Sequence, residues 1–445
     1  MSNFNINFST ILFLVIVFFS AVLRFYNINF SDYSGDEIAT FFISDPSISN
    51  AVTNERIIAT ENTRGYYYIL KLVFKLFGYN PDYGRYTTAI VGTAIPIFFF
   101  YLIKKETNSY FSFITTILVS FNIFLISESQ EVRAQIFYCL SSIITIFFFQ
   151  NLFREKSFFN YSMFIFFGVL TCWFQIFGLI IIFSIFIYSL FLYKKDNLFL
   201  YSSLLVIFFF SLLINYSLLI NLVNIKYIAI NYPEPDFYYD YFFKYFFGSR
   251  FTGRIIFLLY FLLLLLNLKK IYKNKGFIFF VTIMIISAYI LPLIYTYIKR
   301  PCLLPRYIIF VIPFIIFSII YFISELNYKF KNLILFSVVI LIISNTFYSI
   351  YNKKNQKLSR LNNYLTNNNF NNIKIHVYKK HVMTDNYFLN YKSLIDKNIF
   401  IHVLKKFDSV DGIQYMITSG HLLDHIHFKY EILYKDPLNY LIKFN

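Results

Sequence analysis

Two carboxylates stand side by side at Asp36 and Glu37, in the stretch RFYNINFSDYSGDEIAT, shortly after an apolar N-terminal run. A second acidic stretch, SESQEVR, carries Glu128, Glu131 and Arg133. Acids beside a membrane are costly unless paired or functional. The plainer reading of the first pair is an N-cap, with Ser34 or Asp36 opening a short helix at Glu37. Arginines keep the acids company. Arg24, Arg64, Arg85, Arg133, Arg250, Arg254, Arg300 and Arg306 fall mostly within a few residues of the end of an apolar run. Snorkelling to headgroups accounts for any one of them. It does not account for arginine gathering on one side while lysine gathers on the other. The guanidinium fork grips phosphate oxygens in pairs, which an ammonium does not. Such a collection suggests a lipid-phosphate or pyrophosphate ligand at a membrane surface, and beside it the acidic pair reads better as a reactive site than as a cap alone.

The elements that must position these residues are membrane helices. The 445-residue chain is 58% hydrophobic and only 14% charged, outside the range of an ordinary soluble domain. About eleven apolar runs approach the roughly 20 residues that a span needs: 8–24, 86–103, 110–127, 135–153, 158–173, 174–193, 198–221, 255–268, 276–297, 307–324 and 332–351. Lys104–Lys105, Lys156, Lys194–Lys195, Lys269–Lys270, Lys273, Lys275, Lys329 and Lys331 occupy alternate loops, which the positive-inside rule makes cytoplasmic. The loops 25–85, 128–134, 222–254 and 298–306 are then outside, with the C-terminal tail. The first run lacks a basic leader and reads as a retained helix rather than a signal peptide. The net charge of +17 fits lysine-rich loops on anionic lipid, and no soluble basic module points to nucleic acid. Three scattered cysteines make no disulfide framework.

Residues 352–445 differ in kind: polar, rich in Asn and Lys, and home to all six histidines. Runs at 373–378, 399–404, 415–418 and 430–434 alternate as strands do, and 356–367 reads as a helix. The expectation is an all-α polytopic protein over 1–351, with a small extracytoplasmic α/β domain over 352–445. The HLLDHIH stretch, with His421, Asp424, His425 and His427, reads as scattered histidines of that domain rather than a metal site.

In this setting the residues resemble a family. An Asp-Glu pair beyond the first helix, preceded by an arginine and an aromatic, is similar to the first outer loop of the GT-C glycosyltransferases. It is closest to the group of protein O-mannosyltransferases and aminoarabinose transferases. YYYILKLVFKLFGYNPDYGRYTTAIVG resembles that group's segment before the second span. SQEVRAQIF resembles its Gln-Glu-x-Arg stretch, and RPCLLPRYIIFVIP its late Arg-Tyr motif. The likeness covers residues 8–160 well and 295–325 fairly. The chain departs from the pattern at Thr63-Arg64-Gly65, where the group often has His-Pro-Pro, and at Tyr33-Ser34-Gly35, where it has a tryptophan.

The resemblance implies an inverting glycosyltransferase that moves a sugar from a polyprenyl-phosphate donor to a hydroxyl on the outer face. Asp36 would be the base, with Glu37 orienting it or the acceptor. Arg306, Arg133 and Arg85 would stabilise the leaving phosphate, and Tyr307 would touch the headgroup. Glu131 would bind a divalent metal or hold Arg133, and both roles stay open. No cofactor is otherwise implied, and a histidine-built metal site in the membrane region is excluded because no histidine occurs there. The partners would be the donor lipid, membrane lipid and a glycan, lipid or protein acceptor. Short loops suggest a bacterial inner membrane. Two competing readings are an exporter of lipid-linked saccharide, which would want polar residues inside several spans, and a glycan polymerase or ligase, which would place its signature in a large mid-chain loop.

Overall fold

The computed structural model describes residues 8–28, 33–47, 63–192, 198–216, 218–220, 233–234, 237–238, 241, 243–299, 301–326, 331–355, 364, 368, 374–378, 400–404, 413–418, 428–435 and 440–444. The described helices are α1 Phe8–Phe25, α2 Gly35–Ile43, α3 Gly65–Phe77, α4 Pro81–Ile103, α5 Ser109–Ser120, α6 Ile123–Ser129, α7 Gln135–Arg154, α8 Phe158–Phe174, α9 Gly178–Leu192, α10 Leu198–Ile214, α11 Lys244–Phe247, α12 Arg250–Asn274, α13 Phe277–Ile298, α14 Val311–Ser324 and α15 Lys331–Asn355. Each predicted apolar run meets one or two of them. Of the described helices, α4, α7, α12, α13 and α15 are long and apolar enough to cross a membrane singly, and α5 with α6 makes one bent span. The remaining runs are shorter apolar helices, α1, α8, α9, α10 and α14. The protein is an integral multi-pass membrane protein with a mainly helical architecture.

The chain divides into two compact units, 1–28 with 43–351, and 29–42 with 352–445. The first holds the described helices other than α2, which falls in the second. Polar contacts at one end of its bundle link the lysine-bearing loops. Arg154 Nη2 donates to the Lys105 carbonyl at 3.1 Å and to Glu106 Oε1 at 3.3 Å, and Gln150 Nε2 donates to Glu106 Oε1 at 2.8 Å. Lys270 pairs with Glu325, and Tyr188 donates to the Lys275 carbonyl at 2.9 Å. Burial pushes the Glu106 carboxyl above its ordinary range, while Arg154 and Lys105 pull the other way.

Three local results depart from the sequence reading. The run 110–127 is not one straight helix. It breaks at Phe121–Asn122 with a bend of 53°. Asn122 caps the new helix by accepting from Leu125 N at 3.0 Å, and its Nδ2 donates to the Phe246 carbonyl at 2.8 Å. A break inside a membrane strands backbone carbonyls that neighbours must satisfy. Arg24 Nη1 donates to the Ser120 carbonyl at 3.3 Å, and Thr346 Oγ1 donates to the Phe121 carbonyl. Second, the run 307–324 opens with a 3₁₀ turn, Pro305–Ile308, and α14 begins only at Val311. Third, α3 lies in a segment read as loop.

The second unit contains a five-stranded sheet of β1 Lys374–Tyr378, β2 Phe400–Leu404, β3 Tyr415–Thr418, β4 Tyr430–Lys435 and β5 Tyr440–Phe444, in the order β2-β1-β3-β5-β4. β1 pairs parallel with β2 and β3, while β5 runs antiparallel between β3 and β4. Ile413, Met416, Ile442 and Phe444 form its small core. The first four strands fall on the predicted runs, and β5 was not foreseen. The helix expected at 356–367 lies outside the described residues except for Tyr364.

Candidate functional site

The acidic pair opens α2. Glu37 N donates to Ser34 Oγ at 3.3 Å, and Ser34 N donates back to Glu37 Oε2 at 2.8 Å. This reciprocal arrangement is a capping box, which needs Ser and Glu three residues apart. It takes up the Glu37 carboxylate, whose residue is 1% exposed. Asp36, one position earlier, is exposed in the same first turn. The two neighbours therefore differ in what they can do. Glu37 holds the helix start, and Asp36 stands exposed beside it in the first turn.

In the helical unit, several candidate residues meet where α1 ends. Gln130 Nε2 donates to the carbonyls of Leu23, Arg24 and Tyr26 at 3.4, 3.1 and 3.0 Å. These are the carbonyls that a helix leaves open at its C-terminus. Arg85, buried in α4, donates from Nη1 to the Ile28 carbonyl at 3.0 Å. One residue beyond Gln130, Glu131 accepts from Arg133 Nε at 2.9 Å. Both side chains of that pair are partly exposed, so its Coulombic worth is about 0–1 kcal/mol. Its effect is to aim the guanidinium. Arg24 is wholly buried, and its Nη1 also donates to Ser20 Oγ at 2.7 Å and the Ser20 carbonyl at 3.0 Å.

A second group forms where α9 begins. Tyr307, on the 3₁₀ turn, packs its ring 5.0 Å from that of Phe177, and the Arg306 guanidinium lies 5.9 Å from the Tyr307 centroid. Tyr307 and Phe177 line a cavity of about 420 Å³ with Gln175, Ile180, Leu291 and Cys302. A second cavity of about 570 Å³ follows along α9, walled by Leu179, Phe183, Phe186, Leu204 and Phe208. The two share Ile180 and Leu291. Both are apolar, and Tyr307, with Arg306 beside it, lines the first.

The structure places Glu131 against Arg133, one of the two roles left open for it, and Arg306 beside Tyr307. It places Arg85 against the end of α1. Arg300 and the HLLDHIH stretch lie outside the described residues. In the aromatic stretch 231–250, residues 231–232, 235–236, 239–240 and 242 lie outside the described residues too. A hard divalent cation wants six or more oxygens. Among the described residues no three His, Cys, Asp or Glu side chains gather, and Glu131 is engaged by Arg133. The described residues make no metal cage. Ser34 caps α2, one of the two caps that the sequence offered. Gln130 escaped the reading, visible only as part of Gln-Glu-x-Arg.

No family model matches the sequence, and no curated protein matches it either. Comparison of folds is more productive. ArnT from Cupriavidus metallidurans in the apo state superposes with a TM-score of 0.62 at 10% identity, covering 98% of each chain. ArnT from the same organism bound to undecaprenyl phosphate gives 0.55 at 10% identity, covering 97% of each. The Archaeoglobus fulgidus oligosaccharyltransferase, tethered to an acceptor peptide, gives 0.55 at 9% identity over 95% of this chain and 70% of that one. At these identities the likeness is one of fold, and the fold is the one that ArnT and the oligosaccharyltransferase share.

Proposed function

We propose that this chain is an inverting glycosyltransferase that takes a sugar from a polyprenyl-phosphate donor and transfers it to an acceptor hydroxyl at the outer membrane face. The observation that carries the reading is the pair of apolar cavities along α9, the first lined by Tyr307, which has Arg306 beside it. A polyprenyl phosphate has this chemistry: a long hydrocarbon tail joined to one charged headgroup. The likeness to ArnT, one structure of which holds undecaprenyl phosphate, supports the same class of donor.

In the proposed reaction Asp36 removes the acceptor's hydroxyl proton. The oxygen bonds to the anomeric carbon while the bond from that carbon to the phosphate oxygen breaks, and the electron pair leaves with the phosphate. A phosphate needs no strong acid to depart, only stabilisation of its growing charge. Arg306 and Arg133 fill that role, the second held in aim by Glu131. Arg85 acts from behind, on the chain that leaves α1. One displacement inverts the anomeric configuration.

The test is transfer of label from a panel of radiolabelled polyprenyl-phosphate sugars, comparing the full chain with Asp36→Asn. Labelled acceptor from the wild type, and none from an equally folded variant, supports the reading and names the product. Equal transfer by both removes Asp36 from the chemistry. Movement of lipid-linked sugar across vesicles without transfer would replace the enzyme by an exporter.

A further inference from the structure

α3 is too short to span a membrane, because its 13 residues rise about 20 Å against roughly 30 Å of hydrocarbon. It is nevertheless apolar on both sides. Tyr66, Tyr67, Leu70 and Phe74 are buried in the protein. On the opposite side Tyr68, Leu72 and Leu76 follow one another at four-residue spacing, 42%, 55% and 67% exposed. Residues so spaced form one stripe along a helix, and a contiguous apolar stripe on a surface marks something that covers it. Lys71 and Lys75 run along one flank of the stripe.

Both ends of α3 are tied to the ends of spans. At its start Thr63 Oγ1 donates to the Phe174 carbonyl at the end of α8. Gly65 sits so close to Trp173 that a Cβ there would meet the indole at 2.9 Å and the Trp173 carbonyl at 2.7 Å. The Trp173 ring in turn stacks on Tyr68, with centroids 6.0 Å apart. At its far end only Gly78, Tyr79 and Asn80 separate α3 from Pro81, the first residue of the span α4, and Gly78 turns at φ 91°. A helix fastened at each end to the same end of two spans runs across the bundle at the level of the membrane surface.

We infer that α3 lies flat in the membrane surface as a lipid-binding helix, with Tyr68, Leu72 and Leu76 in the boundary between headgroups and acyl chains and Lys71 and Lys75 against anionic headgroups. A helix of this pattern settles there, with lysines beside the apolar face drawing it to anionic lipid. The occupant is the bilayer itself, because the tether to two spans puts the stripe at bilayer depth whatever else is near.

The chain has one tryptophan, so Trp173→Phe gives a silent background. In that background, Leu72→Trp and Leu76→Trp each put a reporter on the exposed stripe of the full chain. The proteins are reconstituted into phosphatidylcholine–phosphatidylglycerol vesicles containing lipid brominated near either the headgroup end or the methyl end of the acyl chain. A flat helix buried about 5–10 Å deep predicts that both reporters are quenched equally, and at least about twofold more by the shallow bromines. Replacing the anionic lipid with neutral lipid reduces that quenching, and Lys71→Gln with Lys75→Gln removes the dependence on anionic lipid. Stronger quenching of one reporter by the deep bromines means that α3 dips into the core and overturns the flat placement. Absence of quenching at both sites, in variants whose thermal unfolding midpoint in detergent matches the wild type, overturns the lipid occupant. Cross-linking between copies through residues 72 and 76 would then name a second chain as what covers the stripe.

Discussion

Glu37 and Asp36 are neighbours of the same charge, yet the structure gives them different work, and a substitution pair separates them. Glu37→Ala removes the acceptor of the 2.8 Å bond from Ser34 N. The lost hydrogen bond is worth about 0.5–1.5 kcal/mol. That corresponds to roughly a two- to tenfold shift in how fully the start of α2 forms. Ser34→Ala breaks the other half of the same box and should cost a similar amount. Glu37→Gln keeps a carbonyl oxygen in place of the carboxylate oxygen, so the cap survives and activity stays within about threefold of wild type. Asp36→Asn removes a general base, which contributes about 10²–10⁴ in rate. The assay is single-turnover transfer from a polyprenyl-phosphate sugar with the reconstituted full chain. The order expected is wild type, Glu37→Gln, Glu37→Ala with Ser34→Ala, and far below them Asp36→Asn. If Glu37→Gln is as inactive as Asp36→Asn, Glu37 takes part in the chemistry and the capping argument is wrong.

Gln130→Leu leaves three carbonyls at the end of α1 without their donor. It should lower stability by about 1–3 kcal/mol, seen as a drop in the thermal unfolding midpoint in detergent; an unchanged midpoint contradicts the role assigned to it. Ile180→Trp fills the wall shared by the two cavities. It should raise KM for a long-chain donor roughly tenfold, the scale of a steric loss near 1.4 kcal/mol, while leaving a short-chain donor little changed; equal effects on both would separate the cavities from the lipid tail. Because burial raises the Glu106 carboxyl above 4.5, folding favours its protonated form. Its contribution is full below the unfolded value and is lost as pH rises through the folded one. Glu106→Gln should flatten the decline in stability from acid toward neutral pH, and an identical profile would show that another group titrates.

The spans were legible because hydrocarbon imposes length and composition directly, as in α4, α7 and α13. The break at Phe121–Asn122 was not legible, because Asn122 is a small interruption in an apolar run, and the groups that make a break tolerable, Arg24 and Thr346, come from far along the chain. α3 was missed because Lys71 and Lys75 spoil a search for continuous apolarity, although its four-residue stripe was present all along. Alternation revealed the first four strands, whereas in β5, Tyr440–Phe444, the adjacent Leu441 and Ile442 are both buried and break the alternation. The pairing of Glu131 with Arg133 was one of two readings left open. Only coordinates show which contact exists, because spacing two apart in a loop fixes no direction.

The bend between α5 and α6 has a bearing on how the chain is made. One of its two stranded carbonyls is satisfied by the first helix. The other waits for Thr346, 225 residues later. A ribosome feeding this chain into the membrane therefore delivers the broken helix long before it delivers the last partner that makes the break stable. Until α15 arrives, the segment has reason to stay straight or to lean on lipid and chaperone. A chain cut short before Thr346 would carry nearly every span, yet would lack the hydroxyl that satisfies the Phe121 carbonyl at the bend. The last described helix thus closes a break laid down 225 residues before it.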